Sequence, residues 1–226
     1  MNGLIHSSLY FGMLVSVGAY MLGVWLKKKT GWAILNPLLV AIIVVIAFLS
    51  VFHIEYKEYN RGAVYLGYFL TPATVCLAIP LYKQLELLRQ HLIAVASAIV
   101  AGVAGSVGSI YVMCRFFQLE HTHYVTLLPK SITTAIGMGV SEEAGGIVTL
   151  TVISIIITGI LGNIIADWLF QIFKIEEPIA KGLALGTASH AIGTARAIEM
   201  GPVEGAMSSL AVAVAGLLTV VFVSGF

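Results

Sequence analysis

The second half of the chain carries two cations and a set of hydroxyls whose types and spacing suit the holding of a small anion. Lys130 follows Pro129 and has Thr126, Ser131, Thr133 and Thr134 close by in sequence. An ionisable group in apolar surroundings is functional by default, and the plainer alternative is a lysine that reaches to the lipid headgroups. Arg196 closes a run, 182–195, that has no charged residue. Its guanidinium fork matches a carboxylate held by two hydrogen bonds, while Glu199, three residues on, offers a purely structural ion pair or a gate. His190, next to Ser189 and one turn before Thr194, is either a proton carrier near physiological pH or a hydrogen-bonded packing residue. Glu142 and Glu143 are adjacent, so on a helix they point about 100° apart and only one can face a given site, as a proton or cation ligand. Asn163 shares a helix face with Asp167 at i, i+4; Asn163 is a coupling or gating candidate, and Asp167 reads as an interfacial residue. His121 and His123 supply two ligands in a loop, too few to predict a metal site. Nucleophile, zinc-hydrolase, phosphate-loop and dinucleotide motifs are lacking, so no catalytic residue and no enzyme are expected.

These residues sit in a chain built for lipid. Of 226 residues, 59% are hydrophobic and 10% charged, against about 25% charged in a soluble domain. Six stretches free of Asp, Glu, Lys and Arg run 21 to 26 residues each: 1–26, 30–54, 62–82, 90–114, 144–166 and 205–226. A helix needs roughly 20 apolar residues to cross a bilayer, so the fold class is an all-α polytopic membrane protein. Helix one is expected over 5–26, helix two over 32–54, a third span over 63–82 and a fourth over 91–114. The polar stretches 53–62 and 115–123 are loop-sized, and Asn36-Pro37 and Thr71-Pro72 predict kinks. Gly102, Gly105 and Gly108 suit the fourth span to close backbone contact, within the chain or in a homodimer, and make it the central helix. Lys27, Lys28 and Lys29 after the first stretch suit a retained helix better than a cleaved signal peptide. Lys and Arg counts favour the first and third loops in the cytoplasm and the N-terminus outside. A net charge of +1 without a basic stripe excludes nucleic-acid binding. Cys76 and Cys114 read as small core residues rather than a disulfide pair.

After residue 123 charges interrupt the apolar runs, and the pattern repeats. Ala-Ile-Gly occurs at 135–137 and 191–193, each followed by polar residues broken by glycine, acidic residues at a helix start, and one apolar span. Ser141 is expected to cap the first such helix, with Glu142 and Glu143 at its positive end. Pro202 is expected to open the second, with Glu204 just inside. Broken helices at membrane depth survive only when buried in protein or lining a wet cavity, and a matched pair points to a transporter site. The architecture expected is therefore six long transmembrane helices plus two discontinuous or re-entrant helical segments, near 124–145 and 182–199. As re-entrant hairpins separated by one span they enter from opposite faces, an inverted repeat; segments that cross the bilayer are the alternative. Residues 1–123 would form scaffold helices and 124–226 the transport core, within one integral membrane domain.

The stretch Leu128-Pro129-Lys130-Ser131-Ile132-Thr133-Thr134, then Ala135-Ile136-Gly137, and above all Gly186-Thr187-Ala188-Ser189-His190-Ala191-Ile192-Gly193-Thr194-Ala195-Arg196, resemble the signature segments of the LrgB/CidB family of bacterial membrane proteins. The similarity extends over essentially the whole chain. The resemblance implies a multi-pass protein of the bacterial plasma membrane, and two functions. One is an antiholin-like or holin-like regulator of murein hydrolase activity and autolysis, acting with a small membrane partner of the LrgA/CidA type. The other is a carrier of small monocarboxylates of the pyruvate, glycolate and lactate class, related to bacterial pyruvate uptake systems and a plant chloroplast glycolate/glycerate translocator. Opposed broken helices bearing Lys130 and Arg196 favour the carrier, with the carboxylate on these cations and on helix N-termini, and with oxygens from Ser131, Thr133, Thr134, Ser189 or Thr194. His190, Glu142 and Glu143 leave H⁺ coupling open and free carbonyls leave Na⁺ open; no other cofactor is expected.

Overall fold

The computed structural model describes residues 10–32 and 35–223, without the side chains of Leu70, Thr71, Thr74 and Leu81, and holds no strand among them. The chain divides into two compact units, residues 1–76 and 77–226. The first contains α1 (Phe11–Thr30), α2 (Pro37–Val51), α3 (Tyr56–Gly67) and α4 (Leu70–Cys76).

Several expected boundaries move here, each for a local reason. Residues 5–9 of the expected first helix lie outside the described residues. Its end runs past residue 26 to Thr30, because Lys27, Lys28 and Lys29 in the last turn complement the negative end of the helix dipole. Gly31 ends it in the left-handed region (φ 69°), donating its N–H to the Lys27 carbonyl at 2.8 Å. Residues 33 and 34 of the expected second helix are likewise outside the described set. The helix itself begins at Pro37, since Asn36 Oδ1 accepts from the Leu38 and Leu39 N–H groups at 2.9 and 3.3 Å. Asn36-Pro37 is thus a cap and first position, not a kink. The polar stretch 53–62 is also no plain loop. Tyr56 opens α3, which Ser16 on α1 fixes through a 2.7 Å hydrogen bond to the Tyr59 hydroxyl. Nor is 63–82 a single span: Pro72 and Pro80 stand in the first turns of separate short helices, where a missing N–H costs nothing. Cys76 is exposed, whereas Cys114 is buried as expected.

The second unit contains α5 (Ala78–Lys83), α6 (Leu85–Gln90), α7 (Leu92–Phe116), α8 (His121–Leu127) continued by a 3-10 turn (Leu128–Ser131), α9 (Thr134–Glu143), α10 (Val148–Ile172), α11 (Pro178–Met200) and α12 (Pro202–Val223). Among the described residues α7, α10 and α12 are long and apolar enough to cross a membrane. α7 and α10 have 25 residues each, about 37 Å at 1.5 Å per residue. Both end in one motif, shared with α2: Phe52-His53-Ile54-Glu55, Phe117-Gln118-Leu119-Glu120 and Phe173-Lys174-Ile175-Glu176. The second residue of each is left-handed (φ 52–53°), and the third returns its N–H across the last turn to Leu49, Cys114 and Phe170. This repeated signal lies in plain view in the sequence.

After α7 and after α10 the chain enters a broken helical segment. In the first, Ile132 and Thr133 are extended and interrupt 121–143. In the second, Ser189 and His190 leave helical geometry within α11, His190 at φ 41° and ψ −140°. At both breaks the chain folds back. A methyl group on Gly137 would stand 3.5 Å from the Pro129 carbonyl oxygen, and one on Gly193 would stand 2.7 Å from that of Leu185. Residues eight apart in sequence are therefore neighbours, which a continuous helix forbids because they would be separated by about 12 Å. Each segment is a helical hairpin, here hairpin 1 (121–143) and hairpin 2 (178–200).

The hairpins approach α10 from its two ends. The mouth of hairpin 1 meets the start of α10, through Thr126 and Ser141 on Thr151. The mouth of hairpin 2 meets its end, through Arg196 on Asp167. One expectation for hairpin 1 is overturned. Ser141, Glu142 and Glu143 do not start the long helix but finish α9. Gly145 (φ 77°) and Gly146 close that helix by donating to Glu142 and Ser141 at 3.1 and 2.7 Å, and α10 starts only at Val148. A Gly-Gly pair after the acids is a stop signal, and it outranks a serine cap that could equally be interior. Pro202 and Glu204 do open α12. α12, rather than the glycine-bearing α7, is the most enclosed of the three long apolar helices: 56% of its most apolar stretch is buried against 22% for α7. Of the three α7 glycines only Gly102 makes a close approach, to Thr187.

Candidate functional site

The two hairpins differ in how they are fastened. Hairpin 1 is tied to α10 by hydroxyls: the Ile147 N–H donates to Thr126 Oγ1 at 2.8 Å, and the Thr151 hydroxyl lies 2.9 Å from the Thr126 carbonyl and 2.7 Å from Ser141 Oγ. Thr126, Ser141 and Thr151 are all buried, so the network is shielded from competing donors. Hairpin 2 sits in backbone seats. Gly102 of α7 faces Thr187, Gly162 of α10 faces Ser189, and Gly159 faces His190, leaving no room for a β-carbon at any of them. Against α12 the seats lie on the hairpin itself, at Gly182 and Gly186.

This packing brings the inner ends of the hairpins around one side chain. Lys130, in the 3-10 turn just before the first break, donates to Ser131 Oγ at 2.9 Å and reaches Ser106 Oγ of α7 at 3.4 Å; the two serines are 2.9 Å apart. Lys130 lines two cavities. One, of about 420 Å³, is walled by Gly102, Ser106 and Ser131 on one side and by Thr187 and Ala188 on the other. The second, of about 330 Å³, lies toward Thr158, Gly162 and Ser189. α9 begins three residues beyond Ser131, behind an extended Thr133 that makes no side-chain cap, so its positive end lies near Ser131 in the chain. A cation and five hydroxyl residues near a helix start can hold a small oxyanion.

The other sequence candidates take three different places. Ser131 and Ser189 line the cavities with Lys130, whereas Thr133 and Thr134 lie at the break without lining either. His190 and Thr194 are structural neighbours of the site: His190 Nε2 is 3.0 Å from the Ile155 carbonyl, and Thr194 shares a 2.8 Å hydrogen bond with Ser208 of α12. Asn163 donates to the Ile192 carbonyl at 3.0 Å, fastening the returning arm of hairpin 2 to α10. Arg196 pairs with Asp167 and, at 2.7 Å, with Glu199, at the mouth of hairpin 2 and away from both Lys130 cavities. Glu142 and Glu143 are exposed at the mouth of hairpin 1, Glu143 lining a separate cavity with His121. No group of three or more His, Cys, Asp or Glu among the described residues could hold a metal.

Ser106, Thr158 and Thr187 escaped the sequence reading. Ser106 lay hidden in the small-residue face of α7, although a serine one turn from Gly102 was a detectable signal. Thr187 lies inside the motif Gly186–Arg196, next to the glycine that opens it.

The profile of the LrgB-like family matches residues 16–226. Among curated proteins, an antiholin-like protein LrgB of Bacillus mycoides (strain KBAB4) is 42% identical over 96% of this chain and 95% of its own length. That of Bacillus subtilis (strain 168) is 40% identical over 96% and 94%, and that of Bacillus cereus (strain B4264) 41% over 96% and 95%. No solved structure matches the chain.

Proposed function

The chain belongs to the LrgB-like family, and from that premise we propose that it is a non-enzymatic membrane protein acting as a secondary transporter of small monocarboxylates. The observation that carries this reading is the meeting of two hairpin tips, entered from opposite ends of α10, around Lys130 and its serines. In a bilayer that arrangement is an inverted repeat, each half a re-entrant hairpin followed by a spanning helix, in the bacterial plasma membrane. Residues 124–226 act as the transport core and 1–123 as scaffold, with Gly102 and Ser106 lending a wall to the site.

The mechanism follows from the charges. The substrate carboxylate replaces water on Lys130 and accepts a further hydrogen bond from whichever of Ser106 and Ser131 is not donating to the other, while the nearby start of α9 adds a favourable field. Alternating access needs one hairpin to close while the other opens. The hydroxyl-fastened hairpin 1 is the fixed side, and hairpin 2 on its glycine seats is the moving one. Arg196, with Asp167 and Glu199, then serves as a gate at the mouth of hairpin 2 rather than as a ligand.

A second reading has its own support. The matched relatives are named antiholin-like, which favours a regulator of murein hydrolase activity and autolysis acting with a small LrgA/CidA-type partner. Uptake of labelled pyruvate, glycolate and lactate into proteoliposomes, with and without that partner, separates the two. Flux abolished by Lys130→Met supports the carrier. No flux of any carboxylate, together with altered lysis in cells lacking the protein, supports the regulator.

A further inference from the structure

A transported anion leaves open what travels with it, and the surroundings of Lys130 bear on that question. Among the described residues, Lys130 is the ionisable side chain that lines the two cavities, and no Asp or Glu lines either. The titratable groups of every element packed on it are engaged or distant. On α7, Tyr111 and Arg115 stack on one another toward the far end, where Cys114 is also buried. On its own hairpin, His121, Glu142 and Glu143 are exposed at the mouth, and His123 and Tyr124 lie in the turns next to it. On α10, Asp167 is held by Arg196; on α11, Arg196 also holds Glu199, His190 is turned to the Ile155 carbonyl, and Lys181 lies in the first turn. Among the described residues, the hydrogen-bond partners of the Lys130 side chain are thus two neutral hydroxyls.

An ammonium among neutral dipoles at membrane depth lacks the counter-charge that makes such a group tolerable. An incoming carboxylate supplies that charge. When the carboxylate leaves, a neutral amine, still hydrogen-bonded to Ser131 and Ser106, suits the same pocket better. We propose that Lys130 carries the coupling proton, so that the anion and one proton cross together as an electroneutral pair.

The inference rests on the carboxylate reading of this site. On the loading side, the Lys130 amine takes a proton from hydronium, releasing water, and the resulting ammonium pairs with the carboxylate. On the unloading side, the carboxylate departs, the ammonium returns its proton to water, and the empty site resets without net charge. Neither His190 nor the exposed glutamates are needed.

The test is calorimetric titration of the purified full-length protein in lipid nanodiscs with pyruvate, at one pH above neutrality, in buffers of different ionisation heat. The expected result is uptake of about one proton per anion bound, because protonation and binding are linked. Lys130→Arg, whose guanidinium stays charged, is expected to bind with no proton uptake, and Lys130→Met to lose binding. Pyruvate binding without proton uptake in the unmodified protein overturns the proposal, as does equal uptake in Lys130→Arg, or binding that requires Na⁺ and releases or takes up no proton. Absence of any binding by pyruvate, glycolate and acetate rejects the carboxylate site itself, a different failure from a bound anion that brings no proton.

Discussion

At the scale of single residues, the consequence of the site geometry is an unequal ranking of its members. Lys130 has no substitute within the cavities, whereas Ser106 and Ser131 share one role. Ser106→Ala is expected to weaken pyruvate binding only about fivefold, the effect of one hydrogen bond of about 1 kcal/mol, with the protein otherwise unchanged; nanodisc calorimetry measures it. Arg196 behaves differently. Because its pair with Asp167 is partly solvent-exposed, Asp167→Asn is expected to cost no more than about 1 kcal/mol of stability while opening the mouth of hairpin 2. The faster reaction of a cysteine placed at exposed Ala188, in a background without Cys76 and Cys114, would report that opening, and the charge-exchanged pair Arg196→Asp with Asp167→Arg would reverse it. Lys130 and Arg196 were both visible in the sequence as charges in apolar runs. Their separation was not, because distance along a folded-back chain depends on where it turns.

Among elements, the hairpins illustrate what local signals reveal and what they conceal. The breaks were legible from glycine, hydroxyl and charge in otherwise apolar segments, and Pro202 correctly marked the start of α12. The acids at 142–143 misled, since the same Ser-Glu-Glu-Ala-Gly-Gly letters can open one helix or close another. The left-handed geometry of Gly145 decides for closure. Replacing Gly145 by alanine should therefore destabilise the protein by about 1 kcal/mol. Thr151→Val should cost more, about 1–3 kcal/mol, by leaving the buried Thr126 carbonyl without its donor and the Ser141 hydroxyl without its partner. Thermal unfolding in detergent compares the two, and a Thr151→Val protein as stable as the parent would remove the fastened role given to hairpin 1.

For the molecule as a whole, charge scarcity in the sequence establishes a membrane protein, but the number of spans cannot be counted from apolar runs alone. Run 62–82 is apolar and still falls into short helices, because two prolines each start a new one. The inverted arrangement makes a sided prediction. Cysteines replacing Glu143 and Glu176, exposed residues at the mouths of hairpins 1 and 2, should react with a membrane-impermeant maleimide from opposite sides of oriented vesicles. Labelling from the same side would exclude re-entrant hairpins of opposed entry.

The seats at Gly182 and Gly186 have a consequence for biogenesis. They bring the backbone of hairpin 2 against Glu204, Met207 and Ser208 of α12, and those contacts do not exist until α12 has left the ribosome. Hairpin 2, with Arg196 on one arm and bare glycines on the other, is thus released from the translocon before its principal partner. It must be sheltered for the time needed to synthesise some twenty further residues.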